Sequence, residues 1–484
     1  MVTDLDLTLE DAVGQARLVR EGAVSSADLL TAAIARIEAV NPVINAVVTP
    51  LFEFALSTPS APGPFQGVPF LLKDAGACLA GLPLYAGSGL LRSLSSAAPA
   101  DTVLGARFRD AGFAFVGKTN LPEFGIQPTT QPLAFGPTRN PWDTSRSSGG
   151  SSGGAAAAVA AGMVPVAHAG DIGGSIRIPS AWCGVVGLKP SRGRTSTVPL
   201  VDPNMVEHVI TRSVRDCAAV LDAVAGATES DVYQLPSSDA AYGGLGESGP
   251  LRIGLMTHVD AGAIDVDPEC VQAAERTGSL LESLGHNVER AGPTALFNDE
   301  FATHSHAVMT REMKVVLDGL AATVGRPLVA ADVEPYTWAM AAEGAAVTND
   351  QYANGQIWER AYTARISTWW TEGFDLLLTP ATATPPLPLE SLVPPADSPL
   401  STLPIFQSIW CFAIPFNVTG QPAISIPGER SADGLPIGCQ LVAPLGREDL
   451  LLQVAGQLEA AAPARRATVA TPSEPPLAPT SRSA

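Results

Sequence analysis

The feature that most constrains this chain is a cluster of paired serines and glycines at residues 147–154 (SSGGSSGG). Glycine allows backbone conformations that other residues disfavour, so such a segment can turn sharply and direct a serine hydroxyl at a chosen point. The small apolar run at 155–161 has high helix propensity. The sequence therefore predicts a helix that begins at these glycines and points its positive end back toward the serines.

A second glycine turn follows at residues 168–179 (HAGDIGGSIRIP). Residues 163–167 are mostly apolar and predict a short buried strand that leads into this turn. Ser151 and Ser175 lie 24 residues apart, one at each turn. The sequence thus presents two serines at two glycine turns.

Residues 140–190 resemble the amidase signature family, in which a Gly-Gly-Ser-Ser-Gly-Gly turn is followed 24 residues later by the serine of a Gly-Gly-Ser-Ile-Arg turn. The segments 140–142 (NPW) and 183–190 (CGVVGLKP) also match that signature. Two outer segments, 41–47 and 446–453, are similar to the bacterial amidases related to cyclic nylon-oligomer hydrolases. The resemblance therefore spans nearly the whole chain.

This resemblance implies an α/β fold, a single-domain α/β/α sandwich around a large mixed, twisted sheet, and the predicted alternation of strands and helices is typical of that class. The implied amidase signature domain covers 1–461, with a signature core at about 140–190 and a mostly helical substrate cap at about 297–371. Residues 462–484 are rich in Pro, Ala, Ser and Thr, which predicts a flexible C-terminal tail. Some large side chains of the cap are expected to line the substrate funnel: Met309, Met313, Trp338, Met340, Tyr352 and Trp358.

Lys73 stands near the end of residues 68–74, an apolar run that predicts a buried strand. A buried lysine is costly unless it is paired or neutral. Taken alone, the residues also allow Lys73 to leave the sheet and pair with Asp74 or water. The resemblance implies that Lys73 is the catalytic general base, in which case burial must lower its pKa toward the working pH. The other lysines of the chain are Lys118, Lys189 and Lys314.

The family's remaining catalytic roles also map onto this chain by resemblance. Ser175 corresponds to the nucleophile that forms the acyl-enzyme, and Ser151 to a bridging proton shuttle that follows a cis Gly150–Ser151 peptide bond. Backbone N–H groups of the second turn would form the oxyanion hole. The residues assigned to that hole are Ile172, Gly173, Gly174 and Ser175.

Three further residues are expected to support this chemistry. Ser152 would support Ser151 by hydrogen bonding, whereas Asp171 and Arg177 flank the second turn and would fix its shape. The chain departs from many relatives at Gly170, where threonine is common; the departure removes a side-chain hydroxyl but touches no catalytic role.

Two other motifs match formally but lack their structural context. Residues 112–119 satisfy the phosphate-loop pattern G-x-x-x-x-G-K-[ST], yet the predicted strand fills the middle of the pattern instead of preceding it. Residues 149–153 satisfy the G-x-S-x-G elbow of α/β-hydrolases, which would make Ser151 the nucleophile, but residues 142–148 are polar and do not predict the required strand. Both interpretations are therefore disfavoured.

A rival within the family is the glutaminase subunit of tRNA-dependent amidotransferases. Those subunits usually have glutamine after the arginine of the second turn, where this chain has Ile178. An apolar residue there favours a free-standing amidase that acts on small or extended apolar or aryl amides, with nylon-type oligomers and carbamates (urethanase activity) as further candidates. The sequence alone does not rank these substrates, because pocket shape depends on residues distant in the chain.

Composition excludes several other classes of function. The net charge of −19 argues against nucleic-acid binding and against binding to an anionic membrane. Six scattered cysteines without metal-ligand spacing predict reduced core residues, no metal and no organic cofactor. We therefore expect a cytoplasmic enzyme with a small-molecule amide or carbamate substrate, and a homodimer is possible.

One local prediction concerns the N-terminal region. Ser25 and Ser26 precede a helical pattern at 27–40, and a serine there can cap the helix. Pro42 follows directly, so the sequence predicts that the helix ends at Asn41 and Pro42.

Overall fold

A mixed sheet of eleven strands runs through the part of the chain that the structure describes, with the strand order β1-β3-β2-β4-β6-β5-β10-β11-β9-β7-β8. The structure is a computed structural model that describes residues 4–199, 202, 204–236, 241–244, 246–262 and 264–465. The strands are β1 Val47–Pro50, β2 Pro69–Lys73, β3 Ala114–Thr119, β4 Val166–Asp171, β5 Val186–Lys189, β6 Val206–Thr211, β7 Arg252–Leu255, β8 Asn287–Glu289, β9 Leu376–Pro380, β10 Ala423–Arg430 and β11 Pro436–Val442.

Helices alternate with these strands along the chain. They are α1 Asp4–Leu9, α2 Ala12–Arg20, α3 Ser26–Ile44, α4 Phe52–Ser57, α5 Gly89–Ser93, α6 Val103–Asp110, α7 Gly153–Ala160, α8 Arg177–Cys183, α9 Val214–Val224, α10 Pro268–Ser283, α11 Asp299–Val324, α12 Pro335–Ala346, α13 Asn349–Thr368, α14 Leu403–Trp410, α15 Pro415–Val418 and α16 Glu448–Ala461. The predicted α/β class is therefore confirmed.

Helices cover both faces of the sheet, as the side chains of β9 show. Leu377 packs into an apolar cluster with side chains of α11 to α13. Leu376 and Leu378, which point to the opposite face because strand side chains alternate, pack with residues of α10 and α16. The sheet is thus buried on both sides, which explains why its central strands are almost wholly apolar.

The parallel neighbours of β2 decide where the chemistry can lie. β2 pairs in parallel with β3 on one side and with β4 on the other. The carboxyl ends of parallel neighbours meet at the same edge of a sheet. Lys73, the last residue of β2, and Asp171, the last residue of β4, therefore lie at one edge.

The prediction for the end of the N-terminal helix was wrong. Ser25 caps α3 through Asp28 as expected, but the helix passes through Pro42 and ends at Ile44. The Asn41 side chain explains the continuation, because its Oδ1 accepts from the amides of Ala46 and Val47, each at 2.8 Å. Those bonds order the turn after the helix, so the proline stands in a terminal turn that is held from outside.

The structure agrees with the prediction that residues 112–119 are not a phosphate loop. The G-K-T triplet 117–119 lies inside β3 and does not open a helix. Lys118 is fully buried there, with its Nζ 3.8 Å from Asp74 Oδ1. It is a core residue of the sheet and not a phosphate ligand.

The segment 297–371 is mostly helical, as predicted, and contains α11, α12 and α13. The predicted tail at 462–484 is described only as far as residue 465, where Pro463–Arg465 form a 3-10 turn. Arg465 pairs there with Glu429 at 2.5 Å. Residues 466–484 lie outside the described residues. Among the helices that the structure describes, none is both long and apolar enough to cross a membrane.

Candidate active site

Lys73 ends β2 in a buried position, with only 4% of the residue exposed. Its Nζ donates to Ser151 Oγ at 2.7 Å and to Ser152 Oγ at 2.9 Å. The structure therefore brings the predicted lysine into direct contact with Ser151 and Ser152, the second pair of serines in the first glycine turn.

Burial changes the acid–base chemistry of Lys73. Desolvation lowers the pKa of its ammonium to about 8, although the charges of Glu207 and Asp171 oppose the shift. A substantial fraction of the amine is then neutral near physiological pH. Such an amine can accept a proton from a hydroxyl at hydrogen-bonding distance.

The Gly/Ser cluster at 147–154 is held close to neighbouring backbone. The Gly150–Ser151 peptide bond is cis, as the family resemblance implied. A Cβ on Gly154 would lie 2.5 Å from Asn120 N and 2.7 Å from Ala46 O, so only glycine fits at that position. Helix α7 begins at Gly153, which confirms that the helix starts within the glycines.

The second turn follows β4 and is organised by the carboxylate of Asp171. Oδ1 of Asp171 accepts from Gly174 N at 2.7 Å, and Oδ2 accepts from Ile176 N at 3.0 Å. Arg177 donates to the same carboxylate through Nε at 3.0 Å and Nη2 at 2.9 Å. Burial opposes ionisation, but Arg177 holds the pKa of Asp171 well below its usual range. A buried ion pair thus fixes the loop that carries Ser175.

The two glycine turns meet at the backbone. Ser152 N donates to Ser175 O at 3.2 Å. Ser151 is 2% exposed and faces Lys73, whereas Ser175 is only partly buried. The more accessible of the two turn serines is therefore Ser175.

The backbone amides of the second turn differ in their availability. Gly174 N–H is engaged by Asp171. The described part of the chain supplies no acceptor for the amides of Ile172, Gly173 and Ser175. Three of the four predicted oxyanion donors are thus unoccupied, and the fourth shapes the turn.

Residues of the late segment, to which the sequence assigned no role, complete the support for Arg177. Nη1 of Arg177 donates to Gln440 Oε1 at 2.7 Å, and Nη2 donates to Asn417 Oδ1 at 2.6 Å. Asn417 Nδ2 in turn donates to Asp171 Oδ1 at 2.9 Å. Residues 417–427 (NVTGQPAISIP) also resemble the amidase signature family, and this similarity was a signal that could have found Asn417.

The sequence also did not predict the pair His168 and Glu207. Lys73 N donates to His168 Nδ1 at 3.3 Å, so the other ring nitrogen carries the proton and faces Glu207 Oε1 at 3.1 Å. Burial lowers the pKa of His168, which favours this neutral ring. Through the bond to Lys73 N, the pair holds the backbone at the end of β2 in place. No periodic pattern could have revealed it, because the two residues meet only through the pairing of β4 with β6.

Ser175 lines a cavity with ≈ 700 Å³ of empty space, a volume that includes the open solvent at its mouth. The walls are mainly apolar, but the polar side chains of Ser305 and Glu312 on α11 and of Glu359 on α13 also line them. Of the large cap residues expected in the funnel, Met309 lines this cavity. The lining residues are Gly125, Ile126, Gln127, Pro128, Gly150, Ile172, Gly173, Ser175, Ile178, Asn204, Ser305, Val308, Met309, Glu312, Glu359, Trp410, Ile414 and Val418.

Comparison with known proteins identifies the family. The family described as Amidase matches residues 28–452. The chain is 44% identical to 6-aminohexanoate-cyclic-dimer hydrolase of Paenarthrobacter ureafaciens, over 96% of this chain and 97% of that protein. It is 36% identical to the putative amidase AmiC of Mycobacterium tuberculosis (strain ATCC 25618 / H37Rv), over 94% of each chain.

Two solved structures have the same fold. A 6-aminohexanoate cyclic dimer hydrolase complexed with substrate superposes with a TM-score of 0.92 at 42% identity, covering 96% of this chain and 100% of that one. A bacterial aryl acylamidase of the amidase signature family superposes with a TM-score of 0.83 at 26% identity, covering 95% and 98%. This chain therefore belongs to the amidase family and is an amidase signature hydrolase that acts on amide bonds.

Proposed function

We propose that this enzyme cleaves small or extended apolar and aryl amides through an acyl-enzyme on Ser175, with Ser151 and Lys73 as its proton relay. The observation that carries the proposal is the 2.7 Å contact between Lys73 Nζ and Ser151 Oγ, beside Ser152, whose amide donates to the carbonyl of Ser175. A neutral lysine there can act as a base without any histidine in the relay.

In the first half of the reaction, Ser175 Oγ attacks the carbonyl carbon while its proton passes to Ser151 and the Ser151 proton passes to Lys73. The amides of Ile172, Gly173 and Ser175 are free to stabilise the negative charge that develops on the carbonyl oxygen. The C–N bond then breaks, and the leaving nitrogen takes a proton back from the relay. The products of this half are a free amine and an ester on Ser175.

In the second half, water attacks the ester carbonyl and gives its proton to the same relay. The bond to Ser175 Oγ breaks, Oγ regains a proton through Ser151, and the carboxylic acid leaves. Lys73 ends neutral, so the cycle closes without a further reactant. The same steps apply to a carbamate, since only the group beside the carbonyl differs.

The accessibility of the two serines disfavours the elbow alternative, in which Ser151 is the nucleophile. Ser175 lines the cavity, whereas Ser151 does not and is almost fully buried against Lys73. A substrate that enters the cavity therefore meets Ser175 first.

The substrate class rests on the walls of the cavity and on the relatives. Ile172, Ile178 and Ile414 give the space near Ser175 an apolar character. One relative is named for hydrolysis of a cyclic dimer of 6-aminohexanoate, and one neighbour is an aryl acylamidase. We propose aryl amides and nylon-type oligomers as substrates, and carbamates as a secondary class.

Hydrolysis of 4-nitroacetanilide, an aryl carbamate, the 6-aminohexanoate cyclic dimer and glutamine tests this proposal. We expect turnover of at least one of the first three substrates, no glutaminase activity, and loss of turnover in Ser175→Ala. Ser283→Ala, at an exposed serine of α10, is the matched control. Turnover of glutamine alone would instead support the amidotransferase-subunit alternative, and activity that survives in Ser175→Ala would refute the assigned nucleophile.

A further inference from the structure

One wall of the cavity carries acidic side chains that the proposed reaction does not use. Glu312 of α11 and Glu359 of α13 both line the cavity that contains Ser175. Together with Glu312, residues 305, 308 and 309 of α11 line the cavity, and the spacing of these four positions places them on one face of the helix. Both carboxyl groups therefore belong to the substrate-facing surface.

These carboxyl groups lack a matching cation. Within the residues that the structure describes, neither Glu312 nor Glu359 has an ion pair within 4.0 Å. Arg192 is a charged neighbour of Glu359, but its guanidinium already donates to the carbonyls of Asn417 and Val418 and to Asn204 Oδ1. The cavity wall thus holds two carboxyl groups that no cation of the described residues pairs with.

A second observation points independently to a ligand. Ser305 is 5% exposed and lines the same cavity, two turns before Glu312 on α11. Its Oγ has no hydrogen-bond partner among the described residues. A buried hydroxyl without a partner is unusual, because leaving it unsatisfied costs free energy that a bound polar group would recover.

The chemistry of this wall selects the kind of ligand. In the described part of the chain, no three acidic, histidine or cysteine side chains converge as metal ligands. A primary ammonium carries three donors on a compact charge, and it can contact two carboxylates and a hydroxyl at once. Its methylene chain would meet the apolar walls beside Val308 and Met309.

We propose that Ser305, Glu312 and Glu359 form an ammonium subsite, which binds a protonated primary amine carried by the substrate at a distance from the scissile amide. The subsite rests on the proposed function only in taking its ligand to be part of the substrate. It favours amides that bear an aliphatic amine over neutral amides of the same length.

Charged and titratable neighbours set how the ammonium subsite responds to pH. Burial, Asp202 and Glu359 raise the pKa of Glu312 to about 8, against a hydrogen bond from Tyr352. Burial raises the pKa of Glu359 to about 7, with Asp202 adding to the shift and Arg192 opposing it. An alkylammonium stays protonated in this range. Affinity for it should therefore rise as the pH increases through 7 and 8, because the carboxyl groups then become anions.

Calorimetric binding of 1-aminohexane and of 1-hexanol tests the ammonium subsite without any turnover. At about pH 8.5, we expect the wild-type protein to bind the amine at least about tenfold more tightly than the alcohol. Glu312→Gln and Glu359→Gln should each reduce that preference severalfold. Asp318→Asn, an exposed position on α11 outside the cavity, should leave the preference unchanged.

Each result bears on the subsite separately from the amidase chemistry. Neither ligand contains an amide, so a loss of hydrolytic activity would refute the proposed function without changing the binding result. Equal affinity for the amine and the alcohol in the wild-type protein would overturn the ammonium subsite, and so would a preference that both Gln variants retain. If a variant fails to fold, the pH series on the wild-type protein decides, since an amine preference that does not weaken between about pH 8.5 and 6 also contradicts the proposal.

Discussion

The two sides of the cavity are built in contrasting ways. On the catalytic side, the buried charged groups have partners within the protein: Lys73 contacts Ser151 and Ser152, and Asp171 pairs with Arg177. On the helical side, Ser305 Oγ has no partner in the described residues and the carboxyl groups have no ion pair. We infer that the catalytic side is complete before substrate arrives, whereas the helical side acquires its partners from the substrate.

This contrast also separates two kinds of energetic cost. A preorganised site loses little free energy to rearrangement during the reaction, so changes there should appear in kcat. Substitutions in a wall whose polar groups bind part of the substrate should instead change KM and the choice of substrate. The following predictions test that division, beginning with the largest expected effect.

Among the substitutions considered below, replacement of the proposed base Lys73 should produce the largest loss of kcat. We expect Lys73→Ala to lower kcat by about 10³-fold, the order found when a general base is removed. Steady-state hydrolysis of an aryl amide measures this. Lys314→Ala, at a lysine on α11 that pairs with Asp318, is the control and should behave as the wild type. A Lys73→Ala enzyme within tenfold of wild-type kcat would contradict the role of Lys73.

The ion pair beneath the second turn should dominate the stability of the catalytic side. Asp171→Asn leaves the fully buried Arg177 without its carboxylate, and breaking such a pair costs about 3 kcal/mol or more in the free energy of unfolding. Urea denaturation measures the change, with the exposed Asp318→Asn as the comparison. A loss below about 1 kcal/mol would mean that the turn does not depend on this carboxylate.

The pH dependence of kcat/KM for an uncharged substrate reports on Lys73 alone, because such a substrate does not use the ammonium subsite. Because burial lowers the Lys73 pKa to about 8 and the base must be neutral, kcat/KM should rise about tenfold per pH unit below that value and level off above it. A stopped assay in mixed buffers from about pH 5.5 to 9.5 records the profile. A profile that is flat across this interval speaks against a lysine base.

Ser152 is proposed as a positioning residue, and its removal should have the smallest effect. Its Oγ accepts from Lys73 Nζ, so Ser152→Ala removes a contact that stabilises the charged form of the lysine. We expect kcat/KM to fall about tenfold and the acid limb of the pH profile to move to lower pH. An unaltered limb would show that Ser152 only fills space.

The sequence, mainly through the family resemblance, indicated residues that meet on the catalytic side, but it gave no sign of the acidic residues on the helical side. Ser151 and Ser175 lie in short glycine turns that match the family's signature, and Lys73 ends an apolar strand at the position where the resemblance implies a lysine. Glu312 and Glu359 stand among ordinary charged residues of long helices. Only the packing of α11 against α13 brings them into one cavity.

Two smaller differences have the same origin. The sequence placed a helix end at Pro42, but side-chain bonds from Asn41 to residues beyond the helix hold the last turn in place. His168 and Glu207 meet across two strands that are far apart in sequence. Tertiary contacts override or add to local preference in both cases, and no local pattern reports them.

The most direct test of the central claim is to label the enzyme with a fluorophosphonate and locate the adduct by peptide mass spectrometry. The account predicts one adduct on Ser175 in the wild-type protein, no adduct in Ser175→Ala, and slower labelling, still on Ser175, in Ser151→Ala. An adduct that persists in Ser175→Ala and disappears in Ser151→Ala would make Ser151 the nucleophile and contradict the account.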